Sequence, residues 1–197
     1  ALNLTGDISE AHPQRGDWLL ATDMVQSSQR LDVQLRVLSN QNVHRGTLQI
    51  LSGATAVSGR LVWLEESSGL AQLLLDKPVH SIVGDTVIVR EPAANITLAG
   101  GRVLDPQGRQ RGRSKPGSIV RLRALAGISA ASDALSIELQ HQAEIEISKF
   151  AQRWNLSESQ SNKLLAGSDV VKLGDMALSK NRWQKSQLLL LEFLRKA

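Results

Sequence analysis

Asn95-Ile96-Thr97-Leu98-Ala99-Gly100-Gly101-Arg102-Val103-Leu104-Asp105-Pro106 alternates as a strand does, carries two adjacent glycines inside that alternation and stops at a proline. A glycine pair costs a strand backbone entropy, so it marks a bulge or the close approach of another backbone, as at a barrel corner. The stretch therefore reads as the closing strand of a small barrel. Residues on its N-terminal side read as β; those on its C-terminal side are first basic and then helical. From Arg102 to Arg123 the chain also carries Arg109, Arg111, Arg113, Lys115 and Arg121, against the single acid Asp105. That run separates two halves of different composition.

Working back from it, Leu31, Val33, Leu35 and Val37 alternate against Asp32, Gln34, Arg36 and Leu38, the pattern of a half-buried strand. Further strands are expected over 47–51, 54–64, 70–75 and 86–90, with Ser67-Ser68-Gly69 as a hairpin turn and Pro78 ending the almost wholly apolar 70–75 segment. Short strands punctuated by turns argue a sandwich or barrel, and closure removes the exposed edges. A six-stranded antiparallel barrel over 24–117 is the expectation. Ala1-Leu2-Asn3-Leu4 and Arg15-Gly16-Asp17-Trp18-Leu19-Leu20 read as two more strands, too few to fold alone, so residues 1–23 are assigned to the end of a preceding barrel. Opening on a strand without methionine, the sequence reads as a piece of a longer chain.

Past Pro116 the period changes. Ile119, Leu122 and Leu125 recur at helical spacing up to Gly127, and Asp133 is placed to cap a second helix with Leu135, Ile137 and Leu139. Residues 144–147 alternate briefly; a helix from Ser148 holds Phe150 and Trp154; Ser157 to Gln160 reads as a capping box; and 170–173 with 176–178 pivot on Gly174-Asp175 as a hairpin. Helix, strand, helix, helix, hairpin is the order of a winged helix, assigned to 118–197. The final helix, over 182–196, is apolar on more than one face at Leu188 to Leu191 and is expected to pack on a following domain.

Composition removes several classes of function. There is no cysteine, hence no disulfide framework and no zinc-thiolate site, and the four histidines share no ligand spacing, so no metal is expected. No apolar run approaches the roughly 20 residues of a membrane span, and a reducing cytoplasmic setting, the expected location, fits the absence of cysteine. No phosphate loop, nucleophile elbow or dinucleotide fingerprint is present, and Glu65 and Glu66, adjacent in sequence, face opposite sides of a strand end. No catalytic residue is assigned. The Arg15-Gly16-Asp17 tripeptide has no secreted-protein context that would make it an adhesion motif.

Binding is what remains. The net charge of +4 and pI near 9.8 are modest, but the cations are concentrated. With 3% aromatic residues and no tyrosine, a base-stacking platform is disfavoured, so contact with RNA falls to phosphates. The candidates are Arg109, Arg111, Arg113, Lys115, Arg121 and Arg123, the first three lying roughly 6 to 7 Å apart along one side if the segment is extended. The would-be recognition helix of the winged-helix pattern, over 158–163, offers only Lys163 as a cation and has Glu158 at its start, which argues a structural or protein-contact role over groove reading.

At these residues a family becomes recognisable. Gln14 to Leu20 resembles the last strand of the second domain of translational GTPases, and Thr97 to Pro106, with Gly100, Gly101, Asp105 and Pro106, is similar to the segment closing the third domain of the bacterial selenocysteine-specific elongation factors. Val57-Ser58-Gly59-Arg60-Leu61 and Leu73-Leu74-Leu75-Asp76-Lys77-Pro78-Val79 resemble central strands of that domain. The resemblance implies an elongation-factor-type barrel followed by the first of several winged helices, in a parent that delivers selenocysteyl-tRNA to the ribosome at UGA. GTP and magnesium would bind a domain outside this sequence and the messenger hairpin a later winged helix, so no cofactor is expected here, and the protein is expected to be monomeric. The competing readings are a structural spacer and a winged-helix DNA-binding regulator.

Overall fold

The computed structural model describes residues 17–41, 43, 46–93 and 96–196. The strand expected at 1–4, and Arg15 and Gly16, lie outside them. Residues 17–20 are not a strand: Trp18 instead leans on the barrel, its indole Nε1 donating to Thr55 Oγ1 at 3.2 Å and its ring 5.5 Å from that of His80.

Six strands close into a barrel in the order β1-β4-β3-β2-β5-β6: β1 (Ser27–Val37), β2 (Leu48–Ser52), β3 (Thr55–Glu65), β4 (Leu70–His80), β5 (Thr86–Glu91) and β6 (Ile96–Asp105). All pairs are antiparallel. Alternate residues fill the interior, among them Leu31, Val33, Leu35, Leu73, Val87, Val89, Ala99 and Val103. Pro78 does not end its strand; β4 runs on to His80. The β1 to β4 pairing jumps from Ser28 opposite Val79 to Arg30 opposite Leu74, and β3 pairs β4 no further than Leu75. Proline thus sits in an irregular stretch where its missing N–H costs no ladder bond.

The same alternation sends Gln72 of β4 and Asp32 of β1 outward, opposite one another, with Asp105 opposite Asp32 on the other side. These three side chains are nevertheless buried. The segment C-terminal to β6 covers them.

Helix α1 (Pro116–Ala126) begins on its proline, which tolerates a first-turn position because its N–H would have no partner there. It packs on the barrel wall, so that Leu70 and Leu104 join Leu122, Leu125, Ala134, Leu135, Ile145 and Phe150 in a second core. Helix α2 (Ala131–His141) has Ala130 as its N-cap, earlier than expected; Asp133 lies in its first turn, where a negative charge suits the helix dipole. Then come β7 (Ile145–Glu146), α3 (Ile147–Arg153), α4 (Glu158–Ala166), the hairpin β8 (Val170–Leu173) and β9 (Met176–Ser179), and α5 (Lys180–Lys196). The small sheet has the order β7-β9-β8, which completes a winged helix. The capping box at α4 is formed: Ser157 Oγ accepts from the Gln160 amide, and the Gln160 side chain accepts from the Ser157 amide. On α5, Leu188 to Leu191, Phe193 and Leu194 are all exposed.

Candidate RNA interface and the joint behind it

Residues 106–115, the connector between barrel and helices, are neither extended nor free. Gly108 N–H donates to the Arg30 carbonyl at 2.9 Å, Gly112 turns the chain with a φ of 73°, and its carbonyl accepts from Lys115 N–H and from Ser118 Oγ. The expectation that Arg109, Arg111 and Arg113 line one side of an extended segment is corrected by this geometry. Arg109, Arg111 and Lys115 are exposed and make no ion pair with a described residue, whereas Arg113 turns back and donates from Nη1 to Gln72 Oε1 at 3.1 Å.

Arg121, expected among the phosphate-facing cations, is 2% exposed. Its guanidinium grips Glu138 with two bonds, Nε to Oε2 and Nη2 to Oε1, both 2.8 Å, and Nη2 also donates to Asp105 Oδ2. Arg153 lies 3.5 Å from both carboxylates and closes a neutral quartet drawn from β6, α1, α2 and α3. Burial alone would raise the Asp105 carboxyl pKa and lower that of Arg121. For Asp105 the charges of Arg153 and Arg121 outweigh it and hold the carboxyl below its ordinary value; for Arg121, hydrogen bonds and charge from Glu138 and Asp105 raise the guanidinium further. A helical residue at 121 was expected to face away from the core, but α1 lies against the barrel on one side and α2 on the other. Arg123 is on the surface and reaches back to Glu65 at the end of β3, where a hydrogen bond from Ser68 first and Arg123 second depress the carboxyl.

Backbone bonds complete the joint. Val83 N–H donates to the Arg153 carbonyl at 2.8 Å, and Arg102 donates to the carbonyl of Ala126 at the end of α1. A polar cleft of about 340 Å³ opens beside the quartet, with Arg109, Gln107, Lys149 and Glu146 in its lining. Lys149 is paired there with Glu146 at 2.7 Å, so cation and acid balance.

The glycine pair behaves as two different residues. Gly101 faces inward opposite Leu35, and a Cβ on it would lie 1.9 Å from the Gln34 carbonyl oxygen: the barrel wall needs glycine there. Gly100 faces outward between Arg36 of β1 and Ile88 of β5, without a positive φ, and the nearest described atom to a Cβ would be 3.9 Å away. Gln34, Arg36, Gly100 and Arg102 line a shallow hollow of about 330 Å³ on this outer face. Arg36 is exposed and without an ion pair to any described residue. This hollow carried no signal separable from its neighbour's in sequence, because two adjacent glycines read as one bulge.

Residues 28–110 match the family model described as the selenocysteine-specific elongation factor, beta-barrel domain. Over 191 residues the chain is 32% identical to the selenocysteine-specific elongation factor of Escherichia coli (strain K12), covering 95% of this chain and 30% of that protein. It is 30% identical over 204 residues to the factor of the same name from Haemophilus influenzae, covering 96% and 32%. The chain thus spans about a third of the length of these curated relatives. A crystal structure of bacterial selenocysteine-specific elongation factor EF-Sec aligns with a TM-score of 0.63 over 87% of this chain and 27% of that one; at 15% identity the likeness shows the fold.

Proposed function

The chain belongs to the selenocysteine-specific elongation factor family, and we propose that in its parent it supplies a tRNA-facing barrel and the rigid joint that carries a winged helix. The parent, with GTP and magnesium bound by another domain in the cytoplasm, delivers selenocysteyl-tRNA to the ribosome at UGA codons. A later winged helix holds the messenger hairpin.

The outward glycine carries the tRNA part of this reading. A glycine inside a strand costs about 0.5–1 kcal/mol against alanine, and nothing among the described residues requires one at 100. The missing side chain leaves room for something from outside. Arg36 and Arg102 flank the hollow, and no acid among the described residues lines it, so its chemistry suits a sugar-phosphate backbone. The exposed Arg109, Arg111 and Lys115 are assigned as further phosphate contacts. The winged helix is not assigned to groove reading: the exposed face of α4 has Glu158 at its N-terminus and Lys163 as its cation.

Titration of the chain with the selenocysteine tRNA across a salt series tests the reading. Gly100→Val, whose Cβ would lie no nearer than 3.9 Å to a described atom, is expected to weaken binding at least tenfold. Arg36→Gln is expected to reduce the log-log salt slope by about one. Unchanged affinity and slope in both variants would leave the barrel as a spacer.

A further inference from the structure

The outward row on the barrel wall has an unexplained chemistry. Gln72 points away from the barrel interior, is 0% exposed, and has both amide donors and its carbonyl oxygen engaged by one carboxylate and one stretch of chain. Its Nε2 donates to Asp32 Oδ1 at 2.7 Å and to the Arg109 carbonyl at 3.1 Å, while Oε1 accepts from Arg113 Nη1. Asp32 is the inner anchor of that amide. The connector lies directly on the pair: a Cβ on Gly108 would come within 2.7 Å of Asp32 Oδ1 and 2.8 Å of Gln72 Nε2.

We propose that Gln72 is the positioning residue of the basic connector. Its amide, oriented by Asp32, holds the Arg109 main chain and the Arg113 side chain, so that the Arg109 and Arg111 side chains are presented outward from a fixed loop. An outward strand position covered by another layer of chain would ordinarily be filled by an apolar residue, as Leu70 and Leu104 are on the same wall. An amide here is costly unless its donors and acceptor are matched. All of them are matched, two by the connector. Ordering the loop in advance also lowers the entropy lost when its cations meet a polyanion. That last consequence rests on the proposed tRNA contact; the seating of the loop does not.

Amide hydrogen exchange on Gln72→Met, which keeps side-chain length and removes all three bonds, tests the seating. The amides of Gly108 and Lys115 are expected to exchange at least tenfold faster than in the parent sequence, with those of β2 and β5 unchanged. Equal rates at both would overturn the proposal. Should Gln72→Met not fold, Arg113→Met cuts only the outer bond and is expected to speed Lys115 exchange about threefold; an unchanged rate overturns the proposal equally. The functional arm is a double-mutant cycle on binding of the selenocysteine tRNA. Arg109→Gln weakens binding in the parent sequence but adds nothing in the Gln72→Met background if the loop is positioned through Gln72; full additivity overturns the positioning role. A chain that binds no tRNA at all would refute the proposed function, and the exchange result would still decide the seating.

Discussion

Arg121 and Glu138 meet edge to edge, two parallel bonds of 2.8 Å between groups that are each 2% exposed. Bidentate pairing of this kind fixes angle as well as distance. It binds α1 to α2, and the third partner, Asp105, binds both to the last strand of the barrel. Arg121→Met is therefore expected to destabilise the protein by about 3–5 kcal/mol, the usual consequence of stranding buried carboxylates by removing one partner. Urea unfolding measures it, and a loss below about 1 kcal/mol would contradict the account. Substituting all six basic residues from 109 to 123 would break the fold through this position alone.

Stability is expected to fall as pH rises from about 4 to 7. Burial first, and the nearby Asp105 charge second, push the Asp32 carboxyl from 3.8 to about 7. Between those values the folded chain keeps a proton that the unfolded chain has released, so each pH unit costs up to about 1.4 kcal/mol. Asp105 and Glu65, both depressed, act in the opposite sense and only at lower pH. Asp32→Asn, whose carbonyl still accepts from Gln72, should flatten the slope and be the more stable form at pH 8. Thermal melts of both forms at pH 5, 6, 7 and 8 decide it.

The two glycines should separate cleanly. Gly101→Ala forces a carbon against the Gln34 carbonyl and is expected to cost at least about 3 kcal/mol or prevent folding. Gly100→Ala is expected to be neutral or to stabilise by about 0.5–1 kcal/mol. Chemical denaturation of the pair measures both, and equal effects would remove the distinction between an internal and an external cause.

Trypsin is expected to cut at the exposed Arg109 or Arg111 without separating the halves. The shared core and the quartet hold barrel and helices together independently of chain continuity. Size exclusion of the nicked protein should show one peak at the uncut volume, and two peaks would mean that the joint depends on the connector.

Much of the barrel was legible because inward alternation is strict in β1, β2 and β5, and much of the winged helix because its caps are local: Ser157 with Gln160, Gly127 and Gly167. The joint was not. Arg121 reads as a surface cation in any helical projection, since its partners lie 16 and 17 residues away on different elements. One signal was present. The segment Leu70 to Leu75 is apolar on both faces apart from Gln72, and a strand that is apolar on both faces is covered on both. That pattern announced a second layer over β4, with Gln72 as the polar position inside it. The pairing of Gln72 with Arg113 had no local trace at all, being set by how the connector folds back over the wall.

The quartet also has a mechanical meaning. Barrel and winged helix share buried charge, buried leucines and backbone bonds, so the angle between them is set by side-chain geometry and not by the length of a tether. A force applied at the hairpin tip near Leu173 is passed to β6 as a turning moment on one stiff body, and lengthening the connector would not extend the reach of the wing.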